Sequence, residues 1–327
     1  MRSIAGMIDR RHLLCLGAAL AVPHVRAQSR FPERPITLLV PFAPGGIADL
    51  TARAVAEQMG RSLGQPVVVE NKPSAGSIVA SQAVATAKPD GHTLLLMSNG
   101  NAVSVGLFRK LPYDPVKDFA PISTLGFFDI GLFVPAGSRF ATLADVLAHA
   151  RANPGKLNVG TIAVGSTQHL AAKLFETVAG IDVLTVPYKG SPAVLTALRA
   201  GEIDLAFEIV GPMVPQVQAG AVKALAVSSG RRNPALPEVP TVAQAGLAGY
   251  DVASWNALAA PAGTPPAVIE ALNRAAREAV ASPAVQAQLG KLGMRLQAGT
   301  PAELQVLLGA EITRWGAVIK AARIEPE

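Results

Sequence analysis

Short apolar runs alternate with helix-patterned segments along nearly the whole chain. Twice, the change from one to the other is made at a glycine-bearing corner. The first corner is Val40-Pro41-Phe42-Ala43-Pro44-Gly45-Gly46-Ile47-Ala48-Asp49; the second, about 120 residues on, is Gly160-Thr161-Ile162-Ala163-Val164-Gly165-Ser166-Thr167-Gln168-His169. A strand that turns tightly into a helix leaves the first helical N–H groups without partners. Such a terminus attracts anions through those groups and the helix dipole. Two such corners predict one ligand held from two sides.

The alternation itself predicts an α/β protein with mostly parallel sheets flanked by helices. Ile36–Val40, Pro66–Glu70 and His92–Met97 read as strands, separated by helices over Asp49–Arg61 and Gly76–Ala87. Pro121–Phe127 and Gly131–Val134 read as two further strands. A second round follows: helix Thr142–Ala152, capped by Thr142 with Asp145 three residues on, strand Leu157–Gly160, helix Thr167–Ala179 and strand Val183–Pro187. Helix Pro192–Ala200 and strands Glu202–Glu208, Val222–Ser228 and Val252–Ala260 complete it. Three helices, Pro266–Ala281, Pro283–Leu292 and Pro301–Ala322, close the chain, each after a Thr or Ser followed by Pro. Strands near 130 and 250 would join two α/β units into a hinged pair. The expected division is residues 28–128 with 247–327 as one lobe and 129–246 as the other.

Residues 1–27 read as a secretory signal peptide. Arg2, Arg10 and Arg11 precede an apolar run from Leu13 to Val22, and Val25-Arg26-Ala27 offers a cleavage site before Gln28. Arg10-Arg11 loosely fits a twin-arginine export signal, and Cys15 lacks lipobox neighbours. The remaining residues hold no cysteine, which excludes disulfides, thiolate metal sites and a cysteine nucleophile. The whole chain carries 29 basic and 23 acidic residues; the leader holds four Arg and one Asp, leaving 25 against 22, a net +3. With no dense Lys/Arg cluster and few aromatics, nucleic-acid binding is excluded. The protein is expected to be monomeric.

The candidate ligand contacts lie at four polar corners, beyond the carboxyl ends of strands, where open α/β sheets bind ligands. At the first, Ala43, Gly45 and Gly46 let the backbone approach a ligand. Asp49 either caps the following helix or accepts a hydrogen bond from a ligand. At the second, Gly165, Ser166 and Thr167 can donate to a carboxylate, and His169 is either a ligand contact or a satisfied structural residue. Ser98 and Asn99 in Ser98-Asn99-Gly100-Asn101, and Tyr188 and Ser191 in Tyr188-Lys189-Gly190-Ser191, supply the other two. Catalytic patterns are missing. There is no G-x-S-x-G elbow, and Ser166 and His169, three apart on one turn, do not make a triad geometry. His92, His149 and His169 have no metal-ligand spacing. No cofactor or metal is expected. Three readings remain: a solute-binding receptor, a ligand sensor, and a secreted α/β enzyme acting on carboxylates.

The chain closely resembles the tripartite tricarboxylate transporter substrate-binding proteins, also called Bug receptors. The resemblance rests on Arg34-Pro35-Ile36-Thr37, Pro41-Phe42-Ala43-Pro44-Gly45-Gly46 with Asp49, and Val67-Val68-Val69-Glu70-Asn71-Lys72-Pro73. It continues through Lys88-Pro89-Asp90-Gly91, Leu111-Pro112-Tyr113-Asp114-Pro115 and Gly165-Ser166-Thr167-Gln168-His169-Leu170. Val186-Pro187-Tyr188-Lys189-Gly190, Leu236-Pro237-Glu238-Val239-Pro240-Thr241 and Ala260-Pro261-Ala262-Gly263-Thr264-Pro265 complete it. It implies a two-lobed periplasmic binding protein of type II that closes on a small organic acid like a flytrap. It also implies membrane permease subunits as partner and one carboxylate held at the two corners. The chain departs from the family in Asn71-Lys72-Pro73-Ser74-Ala75-Gly76-Ser77, which has serines where the family has glycines. Ser98–Asn101 and Phe127-Phe128-Asp129 fall in variable regions expected to set ligand identity. Trp255, if it lines the cleft, would report binding by fluorescence.

Overall fold

A computed structural model describes residues 31–321 and 324–326; the expected signal peptide lies outside the described residues. The first sheet contains β1 (Ile36–Val40), β2 (Val67–Asn71), β3 (Thr93–Ser98), β9 (Ala253–Pro261) and the first part of β4 (Phe119–Pro135). Its order is β2-β1-β3-β9-β4, with β10 (Arg295–Leu296) added on β4. β1 runs parallel to β2 and β3, whereas β9 is antiparallel to β3 and β4. The second sheet repeats the plan. β5 (Asn158–Ile162) is parallel to β6 (Leu184–Tyr188) and β7 (Leu205–Ile209), and the end of β4 pairs antiparallel with β7 and with β8 (Val222–Val227).

β4 belongs to both sheets. Phe119–Asp129 pair with β9, and Ile130–Pro135 pair with β7 and β8. The sequence divides this stretch into two strands at Phe128-Asp129-Ile130; the structure runs through it without a break. Asp129 keeps its polar group in place by accepting from the Asn233 amide at 2.8 Å. The return passes from β8 through Ser228, whose N–H donates to Ile130 and whose carbonyl accepts from Val252.

Helices cover both faces of each sheet, which is why the strands read as nearly continuous apolar runs. Within β1, Ile36, Leu38 and Val40 pack with α1 (Ile47–Leu63) and α8 (Pro266–Ala281), whereas Leu39 turns to the opposite core with α2 (Ile78–Ala85) and α10 (Pro301–Ala321). β3 alternates the same way: Leu94 and Leu96 on one face, Leu95 and Met97 on the other. In the second lobe Phe207 meets α5 (Thr167–Ala179), while Ala206 joins α6 (Ser191–Ala200) and α7 (Val210–Gln218). α4 (Leu143–Ala152) has the expected capping box of Thr142 and Asp145. α8, α9 (Pro283–Gly290) and α10 return to the first lobe, where α8 and α9 pack on α1 and α10 packs on α3 (Asn99–Leu107).

Two helices escape the sequence reading. α3 begins in the polar stretch Asn99-Gly100-Asn101, whose composition signals a turn. It forms because Ser98 accepts from the Gly100 N–H while Asn101 accepts from the Ser98 N–H at 3.0 Å. α7 contains Pro212 and Pro215. Pro212 falls in the first turn, where its missing N–H has no intrahelical partner to lose.

Candidate ligand-binding cleft

The two corners are built alike. Each has a left-handed glycine immediately before the N-cap residue: Gly45 (φ +86°) before Gly46, and Gly165 (φ +83°) before Ser166. A side chain is disfavoured at that φ, so these glycines let the strand turn into the helix within a few residues. The first free N–H groups of α1 are those of Ile47 and Ala48, and of α5 those of Thr167 and Gln168. All four residues line one cleft of about 430 Å³ between the lobes. Its walls also take in Phe42, Phe128, Ile162 and Ile209, with polar side chains from Ser98, Thr167, Gln168, Ser191, Ser254 and Asn256.

The lobes touch across the cleft. The Gly76 N–H donates to the Val164 carbonyl at 3.4 Å. A Cβ placed on Gly165 would lie 3.3 Å from the Gly76 backbone, and one placed on Gly190 would lie 3.7 Å from Ala43 Cβ. The hydroxyls of Thr167 and Ser254 are 2.7 Å apart. Asn256 is buried and donates to the Trp255 carbonyl, but its Oδ1 has no protein partner.

Of the residues singled out in the sequence, Ala43, Gly46, Ser98, Thr167 and Ser191 lie on the wall. Gly45 and Gly165 shape the corners from behind. The Ser166 hydroxyl oxygen accepts from the His169 N–H at 3.1 Å and so caps α5. Ser166→Ala is accordingly expected to lower stability by about 1 kcal/mol, read as a lower urea midpoint at unchanged slope. The His169 imidazole is buried, with Nδ1 unpaired. Burial, helped by the Lys173 charge, pushes its pKa down to about 4, so it is neutral at pH 7. Asn99 accepts from the Trp315 indole N–H at 3.0 Å, and Tyr188 stands on β6 away from the wall.

Asp49 also turns away from the cleft. Its carboxylate accepts from the Gly45 N–H, the Asn71 amide and the Arg53 guanidinium, each at about 3.0 Å. Of its two sequence readings, the structural one describes this conformation. The side chain reaches back past the N-cap, a variant of the capping box. Trp255 is buried in the core with α2 and α10 rather than on the wall; its neighbours Ser254 and Asn256 face the cleft instead. Those two, together with Gln168, Ser74 and Lys189, are polar wall residues that the sequence reading missed. Strand alternation about a buried Trp255 is the signal that finds the first two. The serine-for-glycine departure also has a local consequence. Ser77 takes φ +61° and starts α2, a left-handed conformation that costs a non-glycine residue roughly 1–2 kcal/mol.

One further group lies behind the wall. Glu208 on β7 is fully buried. It accepts from the Ser191 hydroxyl at 2.6 Å, the Gln168 amide at 3.3 Å and the Ile209 N–H at 3.2 Å. Burial pushes its pKa up to about 7, with these hydrogen bonds opposing the shift. Among the described residues no cluster of three or more His, Cys, Asp or Glu side chains could hold a metal. No described helix is long and apolar enough to cross a membrane.

These features match known proteins. A protein encoded in the tcbD-tcbE intergenic region of Pseudomonas sp. (strain P51) is 40% identical over 324 residues, 98% of this chain and 96% of its own length. A solved R. palustris protein with adipate superposes with a TM-score of 0.86 at 34% identity, covering 91% of this chain and all of the other. MatC from Rhodopseudomonas palustris with bound malate gives 0.84 at 35% identity, covering 88% of this chain and all of the other. Residues 51–324 match the tripartite tricarboxylate transporter family receptor. The chain belongs to that family of solute-binding receptors.

Proposed function

We propose that this chain is a periplasmic receptor that binds a small carboxylate between its lobes and presents the closed form to a tripartite tricarboxylate transporter permease. The observation that carries the reading is the convergence of two helix N-termini, α1 and α5, on one interlobe cleft. The donors for the carboxylate would be the N–H groups of Ile47, Ala48, Thr167 and Gln168, with Thr167, Ser191 and Ser98 beside them. Gly45, Gly165 and Ser166 would hold the corners that aim those groups. The apolar walls would hold the body of the acid. The relatives bound to adipate and malate support an acid of this size.

Closure would proceed about the β4 crossing near residue 130 and the return near 250, with lobes 28–128 plus 247–327 and 129–246. The signal-peptide pattern of residues 1–27 supports export. The receptor reading is favoured over an enzyme because the Ser166 oxygen is engaged as a cap and the His169 ring is buried, so neither can act as a nucleophile–base pair in this arrangement.

A thermal-shift and calorimetric panel of aliphatic dicarboxylates, hydroxy acids and aromatic monocarboxylates tests the reading. At a concentration of 100 Kd, the bound acid should add about 2.7 kcal/mol to stability. It should be recovered unchanged. A response to neutral or cationic solutes alone, or turnover of the acid, would overturn the proposal.

A further inference from the structure

We infer that Glu208 is a positioning residue that makes anion binding in the cleft proton-linked: it must carry a proton when a carboxylate sits over Ser191 and Gln168. The inference rests on the carboxylate reading above.

All three groups facing Glu208 are donors: the Ser191 hydroxyl, the Gln168 amide and the Ile209 N–H. Ser191, Gln168 and Ile209 all line the cleft. An ionised Glu208 is acceptor-only. It therefore draws the Ser191 proton and a Gln168 amide proton inward, and the cleft is offered a serine lone pair and a glutamine carbonyl. Those are the wrong poles for a carboxylate, and a buried negative charge stands behind them. A protonated Glu208 has an O–H of its own to give. Donating it to the Ser191 oxygen frees the serine proton to turn into the cleft, toward the anion. The proton comes from solvent and stays on Glu208 while the anion is bound.

No countercharge is paired with the Glu208 carboxylate among the described residues, although Lys189 lines the same cleft. β7 is flanked by β5 and by Ile130–Pro135 of β4, neither of which contains a titratable side chain, and α7 contains none. Packed above are α5, with His169, Lys173 and Glu176, and α6, with Arg199. Tyr188 ends β6, Lys189 follows it on the cleft wall, and Glu202 and Asp204 precede β7. Lys173 pairs with Glu176 at 2.9 Å, and His169 is neutral. Among the described residues no cationic group makes a hydrogen bond or ion pair with Glu208. Burial without a countercharge already holds its carboxyl at about pH 7 when the cleft is empty, and an anion beside it raises that value further. Proton uptake on binding follows by linkage.

The experiment is calorimetric titration of the whole mature protein with adipate, malate and benzoate at pH 6.5 and 8.5, where these acids stay ionised. Each titration is run in two buffers of different ionisation enthalpy to count protons. For the wild type, affinity should fall roughly twenty- to twenty-fivefold between the two pH values, with close to one proton taken up at pH 8.5. Glu208→Gln, whose amide donates as the protonated acid does, should keep its pH 6.5 affinity at pH 8.5 and take up no proton. Ser191→Ala provides a second variant. It should weaken binding at pH 6.5 and make the pH profile shallower, because the hydroxyl route is gone while the Glu208 charge and Gln168 remain. Binding with equal affinity at both pH values, or a pH profile unchanged in Glu208→Gln, overturns this inference alone. Failure of all three acids at both pH values overturns the carboxylate reading and this inference with it.

Discussion

Replacing Asp49 with alanine is expected to lower the unfolding free energy by about 2–4 kcal/mol, among the largest effects of any single change at the first corner. The side chain is 3% exposed, and its partners come from three separate places. The Gly45 N–H belongs to the corner, Asn71 ends β2, and Arg53 sits one turn along α1. The Arg53 ion pair contributes little of this, because that guanidinium is half exposed and water can replace its partner. The cost comes from the Gly45 N–H and the Asn71 amide. Asn71 also donates to the Phe42 carbonyl at 3.0 Å, so losing its other partner loosens the whole corner. Asp49→Asn, which keeps an acceptor but loses the charge, should cost less than Asp49→Ala. Chemical denaturation checks this. A loss below 1 kcal/mol for Asp49→Ala, accompanied by a large fall in ligand affinity, would instead return Asp49 to the ligand.

The same network predicts a pH dependence of definite sign. Burial alone would raise the Asp49 pKa, but the bonds from Arg53, Gly45 and Asn71, with the Arg53 charge, outweigh it and hold the carboxyl below its ordinary 3.8. A group with a lowered folded pKa stabilises the fold above its unfolded value and loses that contribution as pH falls through the folded one. The difference in stability between wild type and Asp49→Ala should therefore be constant from neutral pH down to about pH 4 and shrink only at more acid pH. Glu208 behaves oppositely. Its folded pKa lies above the ordinary 4.5, so its relative stabilisation is complete below that value and declines as pH rises through 7.

Local features of this fold were legible, and features made by distant segments were not. The Thr142–Asp145 cap, the α5 boundaries and the bounds of β1 follow from neighbours in sequence, and the structure has each of them. α3 was hidden because its capping side chains are Ser98 and Asn101, residues that equally signal a turn. β4 looked interrupted because Asp129 is polar, and its partner, Asn233, lies about a hundred residues away. The cleft divides in the same manner. Its corners could be read from glycines beside helix starts. Whether a residue near them faced the cleft could not, because that depends on rotation about the local helix or strand. Asp49 and His169 stand in first turns yet point into protein, whereas Ser254 and Asn256 reach the wall from a strand read in the sequence only as a connection between the lobes. Glu208 was visible only as an acid in an apolar run, and its meaning required the positions of Ser191 and Gln168.

The second large effect is expected at Gly211, in the first turn of α7. An added Cβ there would lie 1.6 Å from the Leu292 carbonyl oxygen and 2.5 Å from its carbon. Both atoms are backbone, so no side chain can rotate aside. Leu292 lies between α9 and β10, in the segment that returns to the first lobe, and Gly293 beside it packs on Asn233. Gly211→Ala must therefore push α7 and the α9–β10 connection apart. Such overpacking costs about 3 kcal/mol, the upper part of its usual range, or a fall in melting temperature of roughly 5–10 °C. Gly309→Ala is the matched control. Gly309 lies inside α10 with nothing within 4 Å of an added Cβ, and the change should stabilise by roughly 0.5–1 kcal/mol. Opposite signs from the same substitution would establish that close approach fixes Gly211. Equal, small effects at both sites would mean that α7 and the α9–β10 connection separate at little cost. Gly211 is outside the cleft lining, so its substitution should leave the wall chemistry intact. Any affinity lost beyond the stability change would then measure how far this joint must stay closed for the two helix termini to meet one carboxylate.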